Sequence, residues 1–81
     1  MYEKVAATVD YLLEDSTTPK TVQEKLGRMM EELRESGDEQ TKIAKALELV
    51  EDISADVNIP NYVKTQLYGI SGQLEEIKES L

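Results

Sequence analysis

Two prolines, Pro19 and Pro60, stand 41 residues apart in an 81-residue chain, and the same shift superposes much of what surrounds them. It carries Asp15 onto Asp56, Val22 onto Val63, Leu26 onto Leu67 and Leu33 onto Leu74. Val9 falls on Val50 and Met29 on Ile70. Proline lacks the backbone N–H that a helix interior needs, so each proline marks a break between helical segments. Apolar residues at helical spacing lie on both sides of each break. The chain therefore reads as two copies of helix–proline turn–helix.

Apolar residues recur every three or four positions almost throughout, the pattern of helices that bury one face. Val5, Val9, Leu12 and Leu13 form a first stripe, and Val22, Leu26, Met29, Met30 and Leu33 a second. Ile43, Leu47, Val50 and Ile53 form a third, widened by Ala46 and Leu49. Val63, Leu67, Ile70, Leu74, Ile77 and Leu81 alternate steps of four and three, a heptad seam. Ser16-Thr17-Thr18 offers cap hydroxyls before Pro19, a residue suited to a helix's first turn. Asp56-Val57-Asn58-Ile59-Pro60 repeats that arrangement, with Asn58 as the expected cap. Ser36-Gly37-Asp38 reads as a glycine C-cap followed by an aspartate N-cap, joining two helices in a tight hairpin.

These signals predict helices over 3–15, 19–36, 39–55 and 60–80 in one all-α domain, 1–81, with repeat units at about 1–37 and 38–81. A period near 40 with two helices per unit is the range of HEAT-like solenoids, but two units leave a solenoid's end faces uncovered. The expected architecture is a four-helix up-down bundle. The alternative is an open HEAT-like pairing that leaves an apolar face for another chain.

Charge narrows the function classes. Residues 1–37 carry five Lys/Arg against eight Asp/Glu, and residues 38–81 four against nine, for a net charge of −8. Nucleic-acid binding draws its affinity from a basic face, which neither half has, so direct DNA or RNA binding is not expected. The plain reading of the charge is solubility; a basic partner is the sharper one. No apolar run approaches the roughly 20 residues of a membrane helix. Met1-Tyr2-Glu3-Lys4 lacks the charged-then-apolar start of a signal peptide, and no cysteine calls for an oxidising compartment. A cytoplasmic setting is expected. The 40% apolar fraction is enough to bury a core and offset chain entropy.

The proline turns carry a resemblance. Leu13-Glu14-Asp15-Ser16-Thr17-Thr18-Pro19-Lys20 and the stretch from Leu49 to Pro60 resemble an uncharacterised archaeal family of short helical proteins, the UPF group numbered 0147. Its members pair an Asp-x-Thr-x-Pro turn with a later Leu-Asp-Glu-Ile-Ser-x-Asp-x-Asn-x-Pro stretch. The likeness covers nearly the whole chain, tighter in the second motif than in the first. The family pattern favours arginine where this chain has Gln23 and Lys64, and tryptophan near Tyr68, so roles resting on those groups do not transfer. The resemblance implies an archaeal cytoplasmic protein with an all-helical fold, and no activity.

No catalytic constellation is expected. Without His or Cys the chain lacks the commonest general base, the thiol nucleophile and the usual zinc ligands. The di-metal carboxylate site of helical bundles uses Glu-x-x-His pairs, which are impossible here. Gly69-x-x-Gly72 lies within a helical stripe and is no phosphate loop. Asp52 to Asn58 spaces oxygens as a calcium loop does, but position six is Val57 and position twelve Val63, where glycine and glutamate are required. Neither cofactor nor metal is expected.

Three features remain. Glu31, Glu32 and Glu35 close one helix, and Glu75, Glu76 and Glu79 another, beside Arg34 and Lys78. Carboxylates oppose the dipole at a helix C-terminus, so this acidic pole is a candidate site for a cation or basic partner. Gly69 and Gly72 border the apolar seam of the last helix at a cost of about 1 kcal/mol each relative to Ala. Close approach of another backbone, from this chain or a second copy, is the expected gain. The aromatics are Tyr2, Tyr11, Tyr62 and Tyr68. A binding surface, if built on the proline turns, comprises Asp15, Pro19, Asp56, Asn58, Pro60, Tyr62, Lys64 and Tyr68. The leading expectation is a non-catalytic protein-interaction or structural module that binds another protein or itself as a homodimer. The alternative is a cation- or small-molecule-binding domain using the acidic pole.

Overall fold

The computed structural model describes residues 1–81 as four helices and no strand: α1 (Glu3–Glu14), α2 (Lys20–Arg34), α3 (Glu39–Ser54) and α4 (Asn61–Ser80). Each boundary falls within two residues of the expected one. α1 packs against α2 and α4, and α3 packs against the same two helices, while the backbones of the diagonal pairs α1/α3 and α2/α4 stay apart. The contact between α1 and α4 closes the ring, which an open solenoid pairing would leave apart. The result is an up-down bundle of 33 × 18 × 18 Å, about as long as its 20-residue α4.

Inside the ring, seventeen buried apolar side chains from the four helices and the turn before α4 form one cluster. The 41-residue shift organises it further than the sequence pairs suggested. Sixteen of the eighteen buried residues match another buried residue at that spacing, including Val5 with Ala46, Leu12 with Ile53 and Thr18 with Ile59. The interior is therefore two-fold in its residue pattern. The stripes themselves need trimming. Leu13 is exposed, because it follows Leu12 by 100° around α1 and leaves the core-facing arc. In the last seam only Val63, Leu67, Ile70 and Leu74 are buried; Ile77 is half-buried and Leu81 exposed, since α4 is eight residues longer than α1 and overruns it.

The two proline turns share one hydrogen-bond scheme. Asp15 Oδ1 accepts from the Thr17 N–H (2.8 Å) and hydroxyl (2.7 Å), and Asp56 Oδ1 accepts from the Asn58 N–H at 2.9 Å. The side-chain caps expected for α2 and α4 are not made. Pro19 and Pro60 themselves occupy the N-cap positions, with ψ of 142° and 149°, and no side chain bonds the first N–H groups. The residue before each proline, Thr18 or Ile59, is drawn into the core, so the proline lands one position outside the helix. Asn58 thus enters the turn through its backbone N–H, and the side chain that shapes the turn is that of Asp56. The hairpin between α2 and α3 is as expected at its second half, where Asp38 caps α3 through Thr41 N at 3.0 Å; the C-cap of α2 is Glu35, and Gly37 instead turns the chain at φ of 141° two residues later.

Thr18 is the one polar member of the buried set, and its hydroxyl has no partner. An unsatisfied buried hydroxyl costs about 1–3 kcal/mol, and the matched position holds Ile59. Thr18→Val should therefore stabilise the bundle by about 1 kcal/mol, raising the melting temperature by about 4–8 °C for a domain of this size. Thermal melting by circular dichroism checks this; an unchanged or lower melting temperature would mean the hydroxyl is satisfied.

Candidate functional site

The up-down topology puts both proline turns at one end of the bundle, where α1 and α3 end and α2 and α4 begin. Of the eight residues expected to form a binding surface, this end gathers Asp15, Pro19, Asp56, Asn58, Pro60 and Tyr62. They do not form one patch. Pro19 and Pro60 start the diagonal helices α2 and α4, so the bundle axis separates them. Asp15 is spent on its own turn, and Asp56 on the other.

Tyr62 has company that the sequence did not reveal. Its ring lies 6.2 Å from that of Tyr11, tilted by 58°, a favourable aromatic pairing across the α1/α4 contact. The neighbouring Tyr11 hydroxyl raises the Tyr62 pKa above the usual phenol value, and partial burial and the Asp15 carboxylate add to it. Six residues separate Tyr62 from Tyr68, so at 3.6 residues per turn the two project about 120° apart. Tyr68 instead shares the opposite flank of α4 with Lys64, one turn before it. The predicted Tyr62/Tyr68 surface is thus split between two flanks of one helix.

What lies between the flanks is unusual for this protein. From Val57 to Leu74 the chain carries a single charge, Lys64, although 32% of its residues are charged. Three of the large apolar side chains left in water belong to this segment: Val57 at 83% exposure, Tyr68 at 64% and Tyr62 at 36%. The exposed arc of α4 between the tyrosine flanks is floored by Thr65, Gly69 and Gly72. A Cβ added at either glycine would meet no atom within 4 Å, so neither is needed for packing inside the bundle. That overturns the expectation of close approach within the chain.

The opposite end holds the acidic trios. Glu31, Glu32 and Glu35 close α2, and Glu75, Glu76 and Glu79 close α4, all exposed and on diagonal corners. No three acidic side chains converge closely enough to share an ion. A network not foreseen from the sequence occupies this end instead. The Tyr2 hydroxyl donates to Glu39 Oε1 at 2.7 Å, spanning the diagonal between α1 and α3. Lys42 Nζ lies 3.0 Å from Glu39 Oε2 and donates to the carbonyls of Leu33 (3.1 Å) and Glu35 (2.6 Å). The ammonium thereby satisfies orphan carbonyls at the α2 C-terminus. Glu39 and Lys42 stand at helical i, i+3 spacing, a readable signal; the reach of Tyr2 was not readable.

Two further features are polar. Between α2 and α3 an open groove of about 630 Å³ is lined mainly by charged side chains, among them Arg28, Lys45, Glu48 and Asp52. On the α1/α4 side, Thr8 and Gln73 bond each other at 3.1 Å. No helix is long and apolar enough to cross a membrane.

The titrating groups give stability a defined pH profile. Hydrogen bonds from Thr17 hold the Asp15 carboxyl below its usual range, and those from Thr41 do the same for Asp38. Stability from these groups is complete above the ordinary carboxylate value, near 4, and is lost as pH falls through the lowered folded values. Burial, then the bond to Glu39, pushes Tyr2 up to about 12. Its contribution is complete below the ordinary phenol value of 10.0 and is lost as pH rises through about 12. Melting temperatures across pH should show both limbs, with Asp15→Asn plus Asp38→Asn flattening the acid limb and Tyr2→Phe the alkaline one.

Comparison with known proteins is consistent over nearly the whole chain. The model of an uncharacterised protein family, UPF0147, matches residues 1–77. A UPF0147 protein of Archaeoglobus fulgidus is 35% identical over 75 residues, covering 93% of this chain and 86% of its own. A UPF0147 protein of Methanocaldococcus jannaschii is 29% identical over 75 residues, covering 91% and 81%. Among solved structures, the crystal structure of the unknown-function protein MMP1188 superposes with a TM-score of 0.81 at 27% identity, covering 90% of this chain and 84% of that one. With its two proline turns, its all-helical fold and a family match over residues 1–77, this chain belongs to the UPF0147 family.

Proposed function

We propose that the protein is a non-catalytic, cytoplasmic protein-interaction module whose contact surface is the charge-poor segment from Val57 to Leu74, with Tyr11 at its edge. One observation carries this reading: exposed Val57, Tyr62 and Tyr68 coincide with the stretch from which charge has been removed. Depletion of charge and enrichment of tyrosine mark the centres of protein interfaces. Elsewhere the helices present Lys, Arg, Asp and Glu to water, as a surface serving only solubility does.

The alternative, a small-molecule or cation-binding domain, has the α2/α3 groove in its favour. Ligand pockets are concave and mostly apolar, whereas this groove is open and charged, with Leu49 and Ala55 as its apolar residues. The interaction reading is the stronger.

Recovery of the tagged protein from its native extract tests the two. The proposal expects a stoichiometric complex with protein, either another species or further copies of this chain, that is lost with Val57→Asp plus Tyr68→Asp. A metabolite or cation that raises the melting temperature, with no such complex, would favour the alternative.

A further inference from the structure

We propose that the outer face of α4 is a self-association surface, on which a second copy of this chain lays the same face of its own α4 antiparallel about a two-fold axis. This rests on the interaction reading and names its partner.

Charge restricts where two copies can meet. A net charge of −8 on each copy opposes self-contact, so the cost is least where the middle of the contact is free of carboxylates. The outward positions of α1, α2 and α3 include Asp10 and Glu14, Glu24 and Glu31, and Glu48 and Glu51 respectively. From Thr65 to Leu74, α4 has no charged residue on any side. A basic partner would gain nothing from that stretch and would favour the acidic faces.

The ends of the same face set the direction. α4 begins at an N-cap without a side-chain acceptor, with Lys64 in its first turns, and closes with Glu75, Glu76 and Glu79 against one cation, Lys78, so that end is net acidic. An antiparallel copy centred between Gly69 and Gly72 brings Lys64 and the positive helix start of one chain within a turn of Glu76 and Glu79 of the other. A parallel copy would set the glutamate trios against each other. The contact is isologous, each patch meeting itself.

Shape agrees with charge. The Tyr11/Tyr62 pair stands on one side of the arc and Tyr68 on the other, and Thr65, Gly69 and Gly72 leave a low floor between them. The space that a Cβ would enter at each glycine is unfilled within the chain. In the antiparallel register Tyr68 of each copy falls beside Gly72 of the other, a large side chain over a small one. One long side of a 33 × 18 × 18 Å body has roughly 600 Å² of outline, an upper bound on the contact that only reaches the low end of the roughly 600–1,000 Å² per partner of stable interfaces. Association should accordingly depend on concentration.

Light scattering over a hundred-fold concentration range tests the proposal. The wild type is expected to pass from 9.1 kDa toward twice that mass. Gly72→Glu is expected to stay at 9.1 kDa throughout with unchanged helical circular dichroism, because the bundle has open space there. Lys64→Glu should weaken association at least tenfold, and Lys20→Glu on α2 should leave it unchanged. A dimer that survives both Gly72→Glu and Lys64→Glu would overturn the α4 assignment. A wild type that remains monomeric overturns self-association, and its recovery with a different protein then leaves the interaction reading standing. A monomer recovered with no protein overturns both.

Discussion

Four helices bearing 32% charged residues stay together here through burial of one apolar cluster, because no ion pair joins one helix to another. The ion pairs are local: Lys42 with Glu39 along α3, and the N-terminal amine with Glu3. Polar links between elements are few and specific, as with Tyr2 to Glu39, Thr8 to Gln73, and Gln23 to the Leu13 carbonyl. At about 25 cal/mol per Å² of apolar surface, the interior outweighs such contacts. Everything outside it is free to serve solubility or recognition. That freedom is what allows the middle of one helix, Thr65 to Leu74, to go without charge and keep the fold.

The interior was legible because helical burial imposes a period that residues either obey or break. Val22, Leu26, Met29, Met30 and Leu33 obeyed it, and all are buried. Gly37-Asp38 announced its hairpin, since positive φ and a side-chain acceptor are chemical demands that few residues meet. The proline turns were legible as breaks but not in detail. Whether proline takes the N-cap or the first helical position depends on how deep its predecessor is drawn in, and that is a property of the packed bundle. Leu81 misled for a similar reason, since a stripe does not tell where the neighbouring helix ends; Leu13 misled because it stands 100° around α1 from Leu12.

The candidate surface was half legible. Grouping Tyr62 with Tyr68 followed their nearness in sequence, while the helix turned them to different flanks. Tyr11, remote in sequence, was the true neighbour of Tyr62. The glycines stand out by their cost, yet only the folded bundle reveals that nothing within the chain occupies the space beside them. The charge-free run itself was in plain view. It gained meaning once exposed side chains were placed on it.

The two-fold residue pattern of the interior has a consequence for how such a chain can change. Each of eight buried positions has a counterpart 41 residues away that meets nearly the same surroundings. The molecule thus carries two solutions to one packing problem, and each half records which side chains the other would tolerate. Divergence inside is confined to mild exchanges such as valine for alanine or methionine for isoleucine, with Thr18 against Ile59 as the one polar exception. Divergence outside has no such mirror to satisfy, so two halves with a common interior can present different faces to the cell.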